Sequence, residues 1–363
     1  PTMPHSNLQT SYATVVAGAG PAGVMAALHA AARGTVLLVD GSVLPRDKSC
    51  GGMLNEYTQL FLAEFGEMPA SMTLDPQWVN FRYHDWDRRI LKPTELRFLN
   101  VDRRSFDDWL VSLLPDNVTV VGATSVVRFD QDDREVRAVV KTADGEHTVT
   151  CEHLIGADGP RSTVRRQLGV GSVSTYVTLQ DFCRIEGPIE PYFDCIYMRD
   201  IGDSFGYAYV VPKGDVAIVG SVFYPKTKRP HEKHEQVLAE LRRSLPLGES
   251  TKREAWVALS VRQPGDVVRG RGRVLLAGEA GGFMSPSSGE GISYALNTGR
   301  LAGTAVAGSG TGSALPAYEA ATNHIAKNIA RKLKWLPFME SSTGKYLAGF
   351  VPTPIVSHIT KGL

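Results

Sequence analysis

Thr14-Val15-Val16-Ala17-Gly18-Ala19-Gly20-Pro21-Ala22-Gly23 is the stretch from which the rest of the chain is read. A β-branched run leads into three glycines spaced G-x-G-x-x-G, and the Ala-rich segment from Val24 to Arg33 has the composition of a helix that Gly34 stops. Thr35-Val36-Leu37-Leu38-Val39 then reads as a buried-type strand ending in Asp40, so residues 14 to 40 are expected to form one βαβ unit and begin a parallel sheet. The glycine pattern alone is weak, because small residues also serve close packing. Between a strand and a helix, with an acid 20 residues after Gly20, it is the full dinucleotide-binding fingerprint. Gly18 permits the tight turn, Gly20 lets the backbone approach a pyrophosphate, and Gly23 lets the helix sit on the strand. Pro21 and Ala22 open a helix whose N-terminus favours phosphate charge, and Asp40 would hold ribose hydroxyls.

Composition bounds the alternatives. A chain of 363 residues suggests two domains, or one large α/β unit with an insertion. Lys+Arg of 39 against Asp+Glu of 38 leaves a net charge of +1, so no bulk field favours nucleic acid. Four cysteines, Cys50, Cys151, Cys183 and Cys195, are too sparse for a disulfide scaffold and show no zinc spacing, which suits a reducing, cytoplasmic setting. His5, His29 and the Lys/His-rich loop at 226–234 likewise offer no metal spacing. The apolar stretch from Ala13 to Ala32 is broken by Gly and Pro and is not read as a signal peptide; no run is long enough to span a bilayer.

Further along, Val118–Val121, Ser125–Phe129, Val136–Lys141 and His147–Val149 read as short alternating strands with an Asp144-Gly145 turn, an expected antiparallel meander laid on the parallel sheet. Leu154 to Gly159 and Arg273 to Gly278 are two more strand-then-glycine segments that return to that sheet. Residues 170–262 change character, with aromatic-rich strands around Tyr176–Phe182, Cys195–Met198, Tyr207–Val211 and Val216–Phe223, then a helix from Glu235 to Leu245. Helical patterning resumes after Gly289, and Gly308 to Gly312 is a linker to another helix from Ala314, since it lacks the Lys-Ser/Thr of a phosphate loop. Trp109 falls in a helix and reads as core.

The fingerprint does not separate FAD from NAD. Gly156-Ala157-Asp158-Gly159-Pro160-Arg161-Ser162 resembles the second motif of flavoprotein monooxygenases and their relatives, and Gly278-Glu279-Ala280-Gly281-Gly282 resembles the third, with Glu279 where Asp is usual. The resemblance implies that three sheet-end motifs in this order span one FAD, with Asp158 and Glu279 serving the ribityl and pyrophosphate region. Pro45 to Gly52 is similar to the P-x-x-K-x-C-G-G loop of the geranylgeranyl reductase family. Tyr207 to Pro212 resembles its Y-x-W-x-F-P signature, with Tyr209 and Val211 in place of Trp and Phe. Pro286-Ser287-Ser288-Gly289-Glu290-Gly291-Ile292 resembles the turn that family places against the flavin, and Arg103 to Asp107 its R-x-x-F-D segment, whose arginine contacts cofactor. The resemblance covers nearly the whole chain. It implies FAD contacts from Gly51, Gly52, Arg103, Gly289, Gly291 and Ile292, and a substrate pocket at Tyr207, Tyr209 and Pro212.

The expected fold is α/β: a Rossmann-like FAD-binding domain, parallel sheet plus meander, at 1–75, 96–169 and 263–330. An inserted antiparallel-sheet substrate domain occupies 76–95 and 170–262, and a helical tail 331–363. The expected activity is reduction of carbon–carbon double bonds of a prenyl lipid or other apolar metabolite, with electrons from NAD(P)H or a small redox protein. Two other readings stay open: a flavin-dependent monooxygenase or halogenase, and a flavin-binding protein that regulates a partner without turnover. Free thiols are mostly protonated near neutrality, so Cys50 could give a proton to one alkene carbon while flavin N5 gives hydride to the other; it also reads as a compact neighbour for Gly51-Gly52. A helix starting near Gly291 would aim N–H groups at charge developing on a reduced flavin. Lys48 could pair with a cofactor phosphate or a substrate carboxylate. Ile325, Ile329, Leu333 and Leu336 form one helical stripe opposite Lys327, Arg331 and Lys334, which reads either as a membrane-surface contact, continued by the apolar segment Tyr346–Ile355, or as a helix packed on the domain.

Overall fold

The computed structural model describes residues 8–199, 201 and 205–352. Strands β1 (Ser11–Ala17) and β2 (Val36–Val39) flank helix α1 (Pro21–Ala30), the βαβ unit expected from the fingerprint. Then come β3 (Met53–Leu54), α2 (Glu56–Leu62), β4 (Thr73–Asp85), β5 (Ile90–Val101) and α3 (Arg103–Ser112). β6 (Val118–Val121), β7 (Ser125–Gln131), β8 (Val136–Thr142) and β9 (Gly145–Gly156) lead to α4 (Thr163–Gln167). β10 (Thr175–Ile185), β11 (Tyr192–Tyr197), β12 (Phe205–Lys213) and β13 (Val216–Phe223) precede α5 (Pro230–Arg242) and β14 (Leu247–Leu259). The chain closes with β15 (Gly270–Arg271), β16 (Val274–Leu276), α6 (Ile292–Ala307), α7 (Leu315–Glu340) and α8 (Ser342–Ala348).

The first sheet runs β15-β16-β9-β1-β2-β6, with β7 and β8 attached through β9. β1 pairs in parallel with β2 and β9, β2 with β6, and β9 with β16. In register, Ala17 faces Val39 and Gly156, and Gly156 faces Leu276, so the strands carrying all three motifs end in one row. That row is where an open parallel sheet binds its ligand. Period-two alternation divides the core between two layers. Val16, Leu38, Ile155 and Leu275 pack with α1, α6 and α7, whereas Val15, Leu37, Leu154 and Val274 pack with the meander residues Val136, Ala138 and Val140.

Several expectations shift. Val118–Val121 joins the parallel sheet rather than the meander, because Val36 to Val39 lie in register with it. His147–Val149 and Leu154–Gly156 belong to one long strand, β9, whose first half pairs with β8 and second half with β16. α5 begins at Pro230, with the ring at the first helical turn where a missing N–H is harmless.

The second sheet runs β14-β10-β13-β12-β11-β4-β5-β3. It takes in 73–101, more than the expected 76–95, because β4 and β5 form a long antiparallel pair and β11 lies parallel to β4. α7 does not present its apolar stripe as a free face. Ile325, Ile329, Leu333 and Leu336 are buried in the main core with Tyr318 and Tyr294, and Lys327, Arg331 and Lys334 face solvent. Among the described residues no helix is long and apolar enough to cross a membrane, and no His, Cys, Asp and Glu cluster could hold a metal ion. His5 and Thr353 to Ile355 of the apolar tail lie outside the described residues.

Candidate functional site

One cavity of about 790 Å³ opens between the C-terminal row of the first sheet and the concave face of the second. At its floor, Gly18 has φ of +99°, and a Cβ on Gly23 would lie 1.7 Å from the Gly18 carbonyl oxygen, so only glycines let α1 start this close to the turn. Gly18, Gly20, Pro21 and Ala22 line the cavity; Gly23 faces the packing contact instead. Gly20 caps α1 without a side-chain hydrogen bond, which leaves first-turn N–H groups for an anion.

Asp40 ends β2 and lines the cavity. Its carboxylate accepts from Ala19 N at 2.8 Å and Ser42 N at 2.9 Å, which ties the glycine turn to the second strand. Arg46 follows, with Nε 3.7 Å from Asp40 and Nη2 3.0 Å from Asp107; Arg103 donates to the same Asp107 from Nε at 2.8 Å. Asp40, Arg46, Asp107 and Arg103 thus alternate in charge along the dinucleotide side, and Arg103 also reaches Cys50. Arg46 lies at a variable position of the P-x-x-K-x-C-G-G loop, where the motif assigns it no role; its position in this ladder gives it one.

The second and third motifs behave differently. Asp158 borders the cavity, but its carboxylate caps α4, accepting from Ser162 Oγ at 2.5 Å, Thr163 N at 2.7 Å and Val164 N at 3.2 Å. Burial pushes its carboxyl up and these bonds oppose that shift. Glu279, by contrast, has a buried Oε2 with no hydrogen-bond partner, and its Oε1 is 3.8 Å from the position of a Cβ on Gly291. An orphaned buried acceptor at the third motif is what a cofactor hydroxyl would satisfy. With the uncapped start of α1, this fits FAD: α1 and Gly20 for the pyrophosphate, Asp40 for the adenosine ribose, Glu279 for the ribityl chain. Lys48 lines the same region, its pKa lowered by burial and partly held up by Glu279.

Gly278, Gly289, Gly291 and Ile292 all line the cavity. Gly291 caps α6, and the cap bond comes from Glu290, whose carboxylate accepts from Ser293 N at 2.8 Å and Ser293 Oγ at 2.7 Å. Burial pushes the Glu290 carboxyl up against those bonds. Cys50, Gly51 and Gly52 line the cavity from another side. Gly52 N donates to Cys50 Sγ at 3.4 Å, while buried Lys213 donates at 3.0 Å to the carbonyls of both Gly52 and Val101. Lys213 went unnoticed in the sequence, where a strand-end lysine carries no motif.

The roof is aromatic. Phe81 meets Phe193 at 5.7 Å between ring centroids, Phe193 meets Tyr209 at 6.0 Å, and Tyr209 meets Tyr207 at 6.4 Å. Tyr207 OH is 3.3 Å from the position of a Cβ on Gly289, so the wall ends at the turn expected against the flavin. Tyr209 OH donates to Gln180 at 3.0 Å. Burial drives both phenol pKa values up, keeping the hydroxyls neutral. Pro212 is a correction: strand alternation turns it away from the face that carries Tyr207 and Tyr209, and it is buried without lining the cavity, its carbonyl accepting from Asn100. α7 and α8 line another wall of the chamber through Leu336, Phe338, Lys345 and Leu347.

Comparison with known proteins agrees with an FAD-binding fold. The sequence pattern of the FAD binding domain family matches residues 115–333, and that of the FAD dependent oxidoreductases matches residues 14–160. Protein CbrA of Escherichia coli O139:H28 is 28% identical over 292 residues, covering 78% of this chain and 80% of that one. A geranylgeranyl bacteriochlorophyll reductase-like protein of Thermoplasma acidophilum shares the fold with a TM-score of 0.81 at 19% identity, covering 97% of this chain and 92% of that one. The flavin-dependent brominase Bmp2 shares it with a TM-score of 0.76 at 18% identity, covering 97% and 94%.

Proposed function

Because the chain belongs to the FAD binding domain family, we propose that this FAD-dependent oxidoreductase reduces carbon–carbon double bonds of a prenyl-chain or other apolar substrate held in the aromatic chamber. The observation that carries the reading is the shared cavity: the Cys50-Gly51-Gly52 turn and the Gly289–Ile292 turn both open onto a chamber walled by Phe81, Phe193, Tyr207 and Tyr209. FAD, when bound and reduced, supplies a hydride. The aromatic wall excludes water and lays an apolar chain across the cofactor face. Cys50 Sγ, held by Gly52 N, gives its proton to the second alkene carbon, so the double bond gains two electrons and two hydrogens; the sulfur regains a proton from water. Electrons enter from NAD(P)H visiting the open side, or from a small redox protein.

The test is anaerobic photoreduction of the FAD-loaded protein, followed by addition of candidate alkenes. Prompt return of the oxidised flavin spectrum with formation of the saturated product is the expected result. Reoxidation only on admitting oxygen, with an oxygenated or halogenated product, would replace this reading with the oxygenase or halogenase one that the fold shared with the brominase also supports. Bound FAD with no turnover in either arm would favour a regulatory role. In the same assay Cys50→Ser should keep its FAD and lose most alkene-dependent reoxidation; a wild-type rate would remove Cys50 from the mechanism.

A further inference from the structure

We propose that Lys332 of α7 is an electrostatic positioning residue for the cofactor: its ammonium offsets the Glu290 carboxylate at the flavin turn and so favours the reduced, anionic form of bound FAD. This deepens the reading of Gly289–Ile292 as the turn set against the flavin and rests on it. The need for such a charge starts with the helix. The N-terminus of α6 carries partial positive charge, which stabilises an anion placed before it. Glu290 stands at that same end and already draws on it, accepting from Ser293 N at 2.8 Å and Ser293 Oγ at 2.7 Å. An ionised Glu290 therefore opposes the negative charge that a reduced flavin develops, unless a cation balances it.

Lys332 supplies that cation. Its Nζ donates to Tyr294 OH at 3.3 Å and to Ser285 Oγ at 3.4 Å, and lies 5.7 Å from the Tyr294 ring centroid. Tyr294 OH in turn donates to Asn328 Oδ1 at 3.4 Å, one turn back on α7, so α6 and α7 hold the ammonium between them. The two charges act on each other against burial: Glu290 helps Lys332 keep its proton, and Lys332 helps Glu290 lose its own. Burial still brings Lys332 down to about 8, which leaves it mostly protonated at neutral pH. Of the other titratable groups here, Tyr294 stays neutral because burial raises its phenol, and Arg331 is exposed, where solvent and salt screen it.

Ser285 links this cation to the chamber. It is 1% exposed and does not line the cavity, whereas Ser288, Gly289 and Glu290 do. Ser288 Oγ donates to Ser285 Oγ at 2.9 Å, Gly289 N donates to the Ser285 carbonyl at 3.0 Å, and Ser285 N donates to the Glu290 carbonyl at 2.9 Å. Two hydrogen bonds, of 3.4 and 2.9 Å, thus lead from the ammonium to the chamber wall. A group seated on that wall lies within about 10 Å of the charge, a range at which a unit charge in an effective dielectric of about 20 moves an equilibrium by roughly tenfold.

The test is the midpoint potential of the bound FAD at pH 7, read by anaerobic equilibrium titration against a reference dye with no alkene present. Lys332→Met is expected to keep its FAD and to lower the reduced-to-oxidised ratio at a given potential about tenfold, a shift of about 30 mV for a two-electron couple. Lys332→Arg should restore the wild-type potential, and Glu290→Gln should shift it the opposite way. Ser285→Ala removes the hydrogen bond and leaves the charge, so it should move the potential less than Lys332→Met does. An unchanged potential in Lys332→Met would overturn the proposal. So would an equal shift in Ser285→Ala, which would show that turn geometry rather than charge is being read. Should Lys332→Met fail to hold FAD, Lys332→Gln carries the same comparison, and Glu290→Gln without an upward shift would overturn the proposal on its own. The readout needs bound FAD and no substrate, so its failure is distinguishable from a failure of double-bond reduction.

Discussion

Lys213 sits behind the Cys50-Gly51-Gly52 turn with two backbone carbonyls for its donors and no carboxylate among its hydrogen-bond partners. Burial takes its pKa from the usual 10.5 down to about 7. In the unfolded chain the group holds its proton up to about 10.5, so between these two values the unfolded state binds more protons and stability rises with pH. Comparing urea midpoints at pH 7 and pH 9, wild type should gain on the order of 2 kcal/mol more than Lys213→Met. Identical pH slopes in the two proteins would refute the assignment. At this scale the glycine fingerprint, Asp40, Glu279 and the Cys-Gly-Gly turn were legible, because each sits at a fixed offset within a motif. Lys213 was not: its meaning comes from burial and from neighbours far away in the chain, the Gly52 and Val101 carbonyls. Asp158 was half legible, since an acid after a strand serves a helix cap as readily as a ligand.

α6 connects two parts of the site, for its first turn carries the Gly291–Ile292 end while its body lies along α1, whose own first turn carries the glycine loop. The approach is close: a Cβ on Gly299 would stand 2.2 Å from the Ala22 carbonyl oxygen. Gly299→Ala must push the two helices apart, an overpacking penalty of about 1–3 kcal/mol. Because Ala22 belongs to the pyrophosphate end, the variant should lose FAD affinity together with stability, read by urea titration and by retained flavin absorbance. Full FAD occupancy at reduced stability would show the two helix starts to be independent. Most elements were readable from periodicity. The exceptions have physical reasons: β6 looks like a meander strand until its register with β2 is known, and a stripe such as Ile325 to Leu336 does not say which partner covers it.

Across the whole molecule, the α7–α8 wall of the chamber is held by contacts between remote segments. Arg262 pairs with Glu340 at the end of α7, and Tyr83 of β4 holds the α8 backbone. The ion pair is partly exposed, so it contributes about 0.2–1 kcal/mol. Glu340→Gln should therefore raise the opening of 342–348 by no more than about fivefold, seen as faster amide hydrogen exchange there with α1 unchanged. Unchanged exchange across 342–348 would show that the pair does not restrain this wall. Such long-range pairings, like the parallel contact of β4 with β11, leave no local trace in the sequence. The sheet order has a consequence for biosynthesis. β1 and α1 emerge from the ribosome early, but α6, which packs along α1, and β16, which pairs with β9, follow only after the entire roof has been translated. Nascent chains shorter than this carry an uncovered greasy helix and half a nucleotide cradle, so flavin capture belongs to the last stage of synthesis, and a holding chaperone or slow translation through 170–262 would be expected to raise the yield of coloured protein.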